Sequence, residues 1–286
     1  MAAEAALAQA SDGLTCPRTV LPRSGQEVSR LGLGLSRLHY LSAAEGLRLI
    51  QEALGLGVTH FDTARLYGDG FSEAVLGRAL AGRREGVTIA TKFGLLPSGL
   101  IEAAGPLAHP LRGARSVLRR AGLLRGPRRS WSAATLRGSV ERSLRALRAE
   151  RVDMLFLHEP VAAELEEADD LFAELARLKA SGRIGAVGLA AQAGEAGQII
   201  ARFGDAIDIL QVPEGRWQEG ALAPDITFGA IGTGVQVYGA AKPGRGQVRA
   251  ALRAALSRRP QGCVLVGTTK PAHLAELVAL AREPAP

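Results

Sequence analysis

The sequence predicts an α/β fold, a (β/α)8 TIM barrel, and three observations predict it. Short apolar runs of strand length recur along the whole chain. Amphipathic stretches separate most of them. The runs are apolar throughout rather than alternating, which is what strands covered on both faces by helices require.

The elements follow in order. Thr19 to Arg30 reads as two short strands around Arg23-Ser24-Gly25-Gln26, an N-terminal β-hairpin ahead of the main fold. Leu31 to Leu35 is the first apolar run, and Ser42-Ala43-Ala44-Glu45 after it has the form of a capping box. Leu47, Ile50 and Leu54 then stand at helical spacing, with Gly55 and Gly57 ending the helix. Further runs lie at Val58 to Phe61, Val87 to Thr91, Val152 to Leu157, Ile184 to Leu189, Ile207 to Val212, Val235 to Tyr238 and Cys263 to Val266. Between them, Leu136, Val140, Leu144 and Leu147 form one helical stripe. Leu171, Phe172, Leu175 and Leu178 form a second, and Val248, Ala251, Leu252, Ala255 and Leu256 a third. The count is about eight strands alternating with helices, the number that closes a barrel.

An open doubly wound sheet is the alternative. No G-x-G-x-x-G follows an early strand, and Gly32 and Gly34 lack the third glycine and the acidic residue that would complete such a unit. Two stretches break the rhythm. Phe93 to Ser130 is a long loop after the third strand, rich in Pro, Gly and Arg. Pro213 to Gly234 leaves little room for a regular sixth helix.

At 286 residues with 47% hydrophobic side chains, the chain is expected to form one barrel domain over 1–286, with 1–17 disordered. Aromatics are only 4%, which suits an aliphatic core and argues against a stacking platform for nucleic acid. The net charge of +7 speaks to association rather than fold. Ala103 to Val140 carries no Asp or Glu but holds Arg112, Arg115, Arg119, Arg120, Arg125, Arg128, Arg129 and Arg137. That run reads as a solvated basic loop, with an anion-facing flap as the functional reading. Cys16 and Cys263 make no disulfide framework, and Met1 to Ala10 has neither a basic n-region nor a long apolar h-region. Every apolar stretch is interrupted before it could span a bilayer. A cytoplasmic location, a small-molecule substrate and no nucleic-acid or membrane partner are the expectations.

In a barrel the working side chains lie past the C-terminal ends of the strands. Val58 to Phe61 ends in Asp62, with Tyr67 five residues on; Val87 to Thr91 ends in Lys92; Leu155-Phe156-Leu157 ends in His158. Singly, each has an ordinary reading: Asp62 as a helix cap, Tyr67 packing a turn, Lys92 in solvent, His158 as a core-edge imidazole. As a set on three successive strand ends they form an acid catalyst. A Lys ammonium near the phenol is expected to lower the Tyr67 pKa, with Asp62 orienting the Lys. Tyr67 would protonate a carbonyl oxygen while His158 donates a second hydrogen bond to it. Only His158, Glu159 and Asp62 could ligate a metal at these ends, too few for a metal-dependent hydrolase or lyase, so no metal site is expected. Trp131 and Trp217 read as packing residues or as substrate platforms.

At these residues the chain resembles the aldo-keto reductase family. The similar segments are Phe61-Asp62-Thr63-Ala64 with Tyr67-Gly68, Thr88 to Gly94, Asp153 to His158, Leu210-Gln211-Val212-Pro213 and Val266-Gly267-Thr268-Thr269-Lys270-Pro271. The resemblance implies hydride transfer between NADP(H) and an aldehyde, ketone or alcohol, with NAD(H) left open. It implies Gln211 as a grip on the nicotinamide carboxamide, Tyr238 as the stacking aromatic, and Gly267, Thr268, Thr269 and Lys270 as the 2′-phosphate site. That last segment opens the final helix, whose amides and nearby cation suit an anion. There are departures. The Ser-Asn pair expected after the fifth strand reads Gly188-Leu189-Ala190-Ala191-Gln192, the adenine-side positions read His273 and Leu277, and Gly239-Ala240-Ala241 follows Tyr238. They leave open a nicotinamide-binding regulatory or interaction protein that kept the barrel and lost turnover.

Overall fold

Eight parallel strands close on themselves, and the computed structural model describes them through residues 15–98, 126–215, 217, 222–231 and 244–283. Around the ring they are β3 (Leu31–Gly34), β4 (His60–Asp62), β5 (Thr88–Phe93), β8 (Val152–His158), β9 (Ile184–Ala190), β10 (Ile209–Pro213), β11 (Ile226–Phe228) and β12 (Cys263–Val266). β12 pairs back onto β3 through Val264↔Leu31 and Val266↔Leu33, so the closed barrel holds over the open sheet.

The period of two in a strand sorts its side chains into two cores. Ala90, Met154, Phe156, Ala186, Ala190, Ile209, Ile226, Cys263 and Leu265 share one buried cluster, the barrel interior. Leu155 and Leu157 of β8 belong to the other, outside the barrel, packed with Leu136, Val140 and Leu144. Those three helix residues lie on α3 (Ala133–Leu147). The same parity puts Asp62, Lys92, His158 and Gln211 on the inward side at the top of their strands, two residues beyond His60, Ala90, Phe156 and Ile209.

The N-terminal hairpin pairs β1 (Arg18–Val20) with β2 (Glu27–Ser29). It closes the bottom of the barrel, because Leu21 and Val28 join the interior cluster and are fully buried. Two bonds seat it: Gln26 Nε2 donates to the Asp153 carbonyl at 3.2 Å, and the Arg23 amide donates to Asp225 Oδ1 at 3.1 Å. Cys16 and Pro17, at the end of the segment expected to be disordered, are packed, with the Cys16 amide bonded to the Leu56 carbonyl. Residues 1–14 lie outside the described residues.

Ser42 caps α1 (Ala43–Gly55) as the spacing predicts: the Glu45 amide donates to Ser42 Oγ at 3.3 Å, and the Ser42 amide to Glu45 Oε2 at 2.9 Å. Next in order come α2 (Phe71–Ala79), α3, α4 (Asp169–Ala180), α5 (Ala193–Phe203), α6 (Arg245–Arg258) and α7 (Pro271–Arg282). The base of the long loop is a short antiparallel pair, β6 (Leu95–Leu96) with β7 (Arg128–Arg129), and the arginine run from Arg112 to Arg125 lies outside the described residues.

One expected strand is corrected. The seventh strand is Ile226–Phe228, hydrogen-bonded to β10 on one side and β12 on the other. Val235 to Tyr238 lies outside the described residues, and the place it was expected to take in the ring is filled. The physical reason is Asp225: its carboxylate accepts from the Leu210 amide at 2.9 Å and from the Arg23 amide, tying the start of β11 to both β10 and the hairpin. Three residues with a central Thr227 give almost no apolar pattern to read.

Candidate active site

The barrel mouth holds a cavity of about 710 Å³, and Asp62, Tyr67, Lys92 and His158 all line it. Lys92 Nζ forms an ion pair with Asp62 Oδ1, both side chains at most 5% exposed, and donates to the Thr63 carbonyl at 3.1 Å. Gln211 Nε2 donates to the other Asp62 oxygen at 3.1 Å. The carboxylate is thus held between an ammonium and an amide, as a buried charge requires. Burial pushes the Lys92 pKa down, and the Asp62 charge opposes that.

Tyr67 reaches the cavity from a tight turn after β4. Gly68, Asp69 and Gly70 are all left-handed, with φ of 61°, 55° and 89°. At Gly70 the left-handed φ favours glycine, and a Cβ would stand 2.2 Å from Arg65 Nη1 and displace that guanidinium. Behind the turn lies a buried network that the sequence did not disclose. Arg65 Nη1 pairs with Glu73 Oε2 at 3.0 Å, Thr91 Oγ1 donates to Glu73 Oε1 at 2.7 Å, and Ser72 Oγ donates to the Leu35 carbonyl at 3.0 Å. It pins the start of α2 to β3 and β5. Arg65 and Glu73 stand eight apart across a turn, and nothing in that spacing distinguishes them from surface charges.

Lys92 Nζ lies 5.3 Å from the Tyr67 ring centroid, and the Tyr67 and His158 rings meet edge-on at 5.7 Å and 84°. The expected lowering of the Tyr67 pKa is corrected: burial, then the Asp62 and Glu159 carboxylates, push it well above the ordinary phenol value. The ammonium is already matched by Asp62, so its field does not acidify the resting phenol. His158 is held neutral, its pKa pushed down to about 3 by burial and then by the charges of Lys92 and Arg129. Its Nδ1 is buried without a partner among the described residues.

The other side of the cavity is formed by Gly34, Ser36 and Arg37 after β3, by Phe228 at the end of β11, and by Val266, Gly267 and His273 around the start of α7. Phe228 was missed by the sequence reading, because the strand that carries it was missed; Tyr238 lies outside the described residues. Gln211 is 1% exposed and its Oε1 is a buried acceptor without a partner, which suits a carboxamide donor. Of the expected phosphate segment only Gly267 lines the cavity. Thr268, Thr269 and Lys270 continue outward from it, half-buried or exposed, with the Lys270 amide bonded to Thr268 Oγ1 at 3.1 Å and Pro271 opening α7. Leu277 is a core residue, whereas His273 is exposed at the cavity edge. Where a Ser-Asn pair was expected, Ala190 and Ala191 are buried and apolar, and Gln192 is exposed at the cap of α5.

Trp131 packs rather than lining the cavity. It lies edge-on to Phe93 and over Gly94, whose φ of 117° and absent Cβ make room for the indole. Among the described residues no group of three or more His, Cys, Asp or Glu could hold a metal ion, and no helix is long and apolar enough to cross a membrane.

The family model described as "Aldo/keto reductase family" matches residues 30–213, from the first barrel strand through the sixth and well over half of the chain. The chain belongs to the aldo/keto reductase family. Two curated relatives are similar in sequence. An uncharacterized oxidoreductase, YcsN, of Bacillus subtilis is 32% identical over 163 residues, covering 55% of this chain and 47% of the relative. A 6-dehydroglucose reductase of Agrobacterium fabrum is 30% identical over 169 residues, covering 57% and 50%. The matches thus span about half the length of these relatives. In fold, the holo form of the aldo-keto reductase AKR11C1 from Bacillus halodurans superposes with a TM-score of 0.73 at 20% identity, over 94% of this chain and 92% of that one.

Proposed function

We propose that this aldo/keto reductase transfers hydride between NADP(H) and a carbonyl or alcohol carbon, with Tyr67 as the proton donor. The observation that carries the reading is the convergence of Asp62, Tyr67, Lys92 and His158 in one cavity, from the ends of the adjacent strands β4, β5 and β8. When bound, the nicotinamide supplies or accepts the hydride. Every other part of the reaction falls to the chain's own side chains.

In the reduction direction the carbonyl carbon gains hydride and the oxygen becomes basic. Neutral His158 donates a hydrogen bond to that oxygen and polarises it before the transfer. Tyr67, protonated at neutral pH, gives its proton to the oxygen. The phenolate left behind lies near the Lys92 ammonium, which stabilises it in a buried site where Coulomb interactions are strong. Asp62 keeps that ammonium charged and aimed. A raised resting phenol pKa suits this order, because the proton leaves only once an alkoxide is there to take it.

For the cofactor, Gln211 would hold the carboxamide through its unmatched Oε1, Phe228 would offer the ring a flat apolar surface in the role expected of Tyr238, and Gly267, Thr268, Thr269 and Lys270 would hold the 2′-phosphate at the N-terminus of α7. The test is NADPH consumption by the purified protein across a panel of aldehydes and ketones. Turnover of some carbonyl, faster with NADPH than NADH, is expected. Tight NADPH binding with no turnover across the panel contradicts the reading. It would favour the second one, a nicotinamide-binding protein without turnover, for which the buried Ala190 and Ala191 speak.

A further inference from the structure

We propose that Glu159 determines substrate charge: its carboxylate lines the barrel-mouth cavity with no cation paired to it among the described residues, and selects against carbonyl compounds that carry a negative group. Glu159 follows His158 directly, is exposed, and lines the cavity. It is held in a left-handed backbone conformation, φ 53°, which is uncommon for a residue with a side chain. Two bonds keep it there: its amide donates to the Ala190 carbonyl at 2.7 Å, and Arg129 Nη2 donates to its own carbonyl oxygen.

Arg129, bonded to the Glu159 backbone, has its charge committed elsewhere. Its Nε lies 2.6 Å from Glu164 Oε1 and its Nη2 donates to Glu164 Oε2 at 2.8 Å, a bidentate pair in which Trp131 Nε1 also joins. No cation among the described residues pairs with the Glu159 carboxylate. Its charge reaches the reacting groups, since it helps to keep both Tyr67 and Lys92 protonated.

The cavity is bipolar as a result. β3, which brings Arg37 to its edge, is three strands from β8, which brings Glu159, around a ring of eight. The cationic side fits the phosphates of a dinucleotide, and the opposite side is left for the substrate tail. Facing Glu159, a neutral, hydroxyl-bearing carbonyl can donate a hydrogen bond, whereas a carboxylate is repelled. At separations of several ångströms and in a solvated mouth, that repulsion amounts to about tenfold in affinity.

This inference rests on the reductase reading, and its test separates the two. The probes are 4-formylbenzoate and 4-formylbenzamide, alike in shape and different in charge. kcat/KM with NADPH is measured for both in wild type and Glu159→Gln. Their binding is measured by calorimetry in a Tyr67→Phe background, with and without Glu159→Gln, where turnover is not needed. The benzoate-to-benzamide ratio is expected to rise about tenfold on Glu159→Gln in both measurements, and the rise is expected to shrink at high salt. An unchanged ratio overturns the assignment while leaving the reductase reading intact. A tenfold change in binding with no turnover in wild type leaves the assignment standing and overturns the reductase reading.

Discussion

The two sides of the cavity are built differently. Asp62, Lys92, His158 and Gln211 stand on strands and are at most 6% exposed; Asp62, Lys92 and Gln211 hold one another through an ion pair and a direct hydrogen bond, and His158 meets the Tyr67 ring edge-on. Arg37 and His273 stand on a loop and a helix start and are exposed, as is Lys270 just beyond the cavity edge. The difference teaches that this barrel fixes the proposed acid–base groups by backbone register and leaves the end proposed for the cofactor phosphates to side chains that solvent can reach. A change on the first side therefore disturbs both stability and chemistry, whereas a change on the second disturbs binding alone.

The largest expected effect lies on the buried side. Lys92→Met leaves the Asp62 carboxylate buried without its cation, and breaking such a pair costs about 3–5 kcal/mol. Urea unfolding should show that loss; a change under 1 kcal/mol would mean that water reaches Asp62. Lys270→Ala, on the open side, should leave the urea midpoint in place.

A middle-sized effect comes from pH. His60 is fully buried beneath Asp62, its Nδ1 2.9 Å from Thr88 Oγ1, and burial holds its pKa down to about 4 against an ordinary 6.5. His158 is depressed in the same direction. Protonation is then favoured in the unfolded chain, so stability is complete above pH 6.5 and falls as pH drops from 6.5 toward 4. Each histidine contributes at most about 1.4 kcal/mol per pH unit in that window. His60→Gln should flatten the slope between pH 6.5 and 5 in urea titrations. An equal slope in wild type and variant would place His60 in contact with water.

The smallest effect sharpens the comparison from the open side. Lys270→Ala should weaken NADPH binding about threefold to tenfold and leave NADH binding unchanged, with the difference fading in salt. Equal loss for both cofactors would move the phosphate site away from α7.

The same division explains what was legible in the sequence. Asp62, Lys92 and His158 each end a run of apolar residues, and a period of two puts each inside a closed barrel whatever its loops do. Gln211 was legible through the family resemblance, and the capping box at Ser42 was legible because it is local. The seventh strand was not: Ile226–Phe228 is three residues long and is held through Asp225 by Leu210 and Arg23, partners distant in sequence. Val235 to Tyr238 offered the stronger apolar pattern and drew the prediction. The Arg65–Glu73 pair and the hairpin's packing into the barrel floor are also tertiary, and charge or turn patterns carry no trace of them. The expected direction of the Tyr67 pKa failed for a related reason: residue types alone do not show how deeply the phenol is buried, which is the largest cause of its rise.

Single-turnover mixing of NADPH-loaded protein with an aldehyde, in wild type and in Tyr67→Phe, tests the central claim most directly. Tyr67→Phe should bind NADPH as wild type does and lose about 10²–10⁴-fold in the rate of NADPH oxidation, the range for removal of a general acid. Oxidation at the wild-type rate in Tyr67→Phe would contradict the account, because the proton would then come from another group.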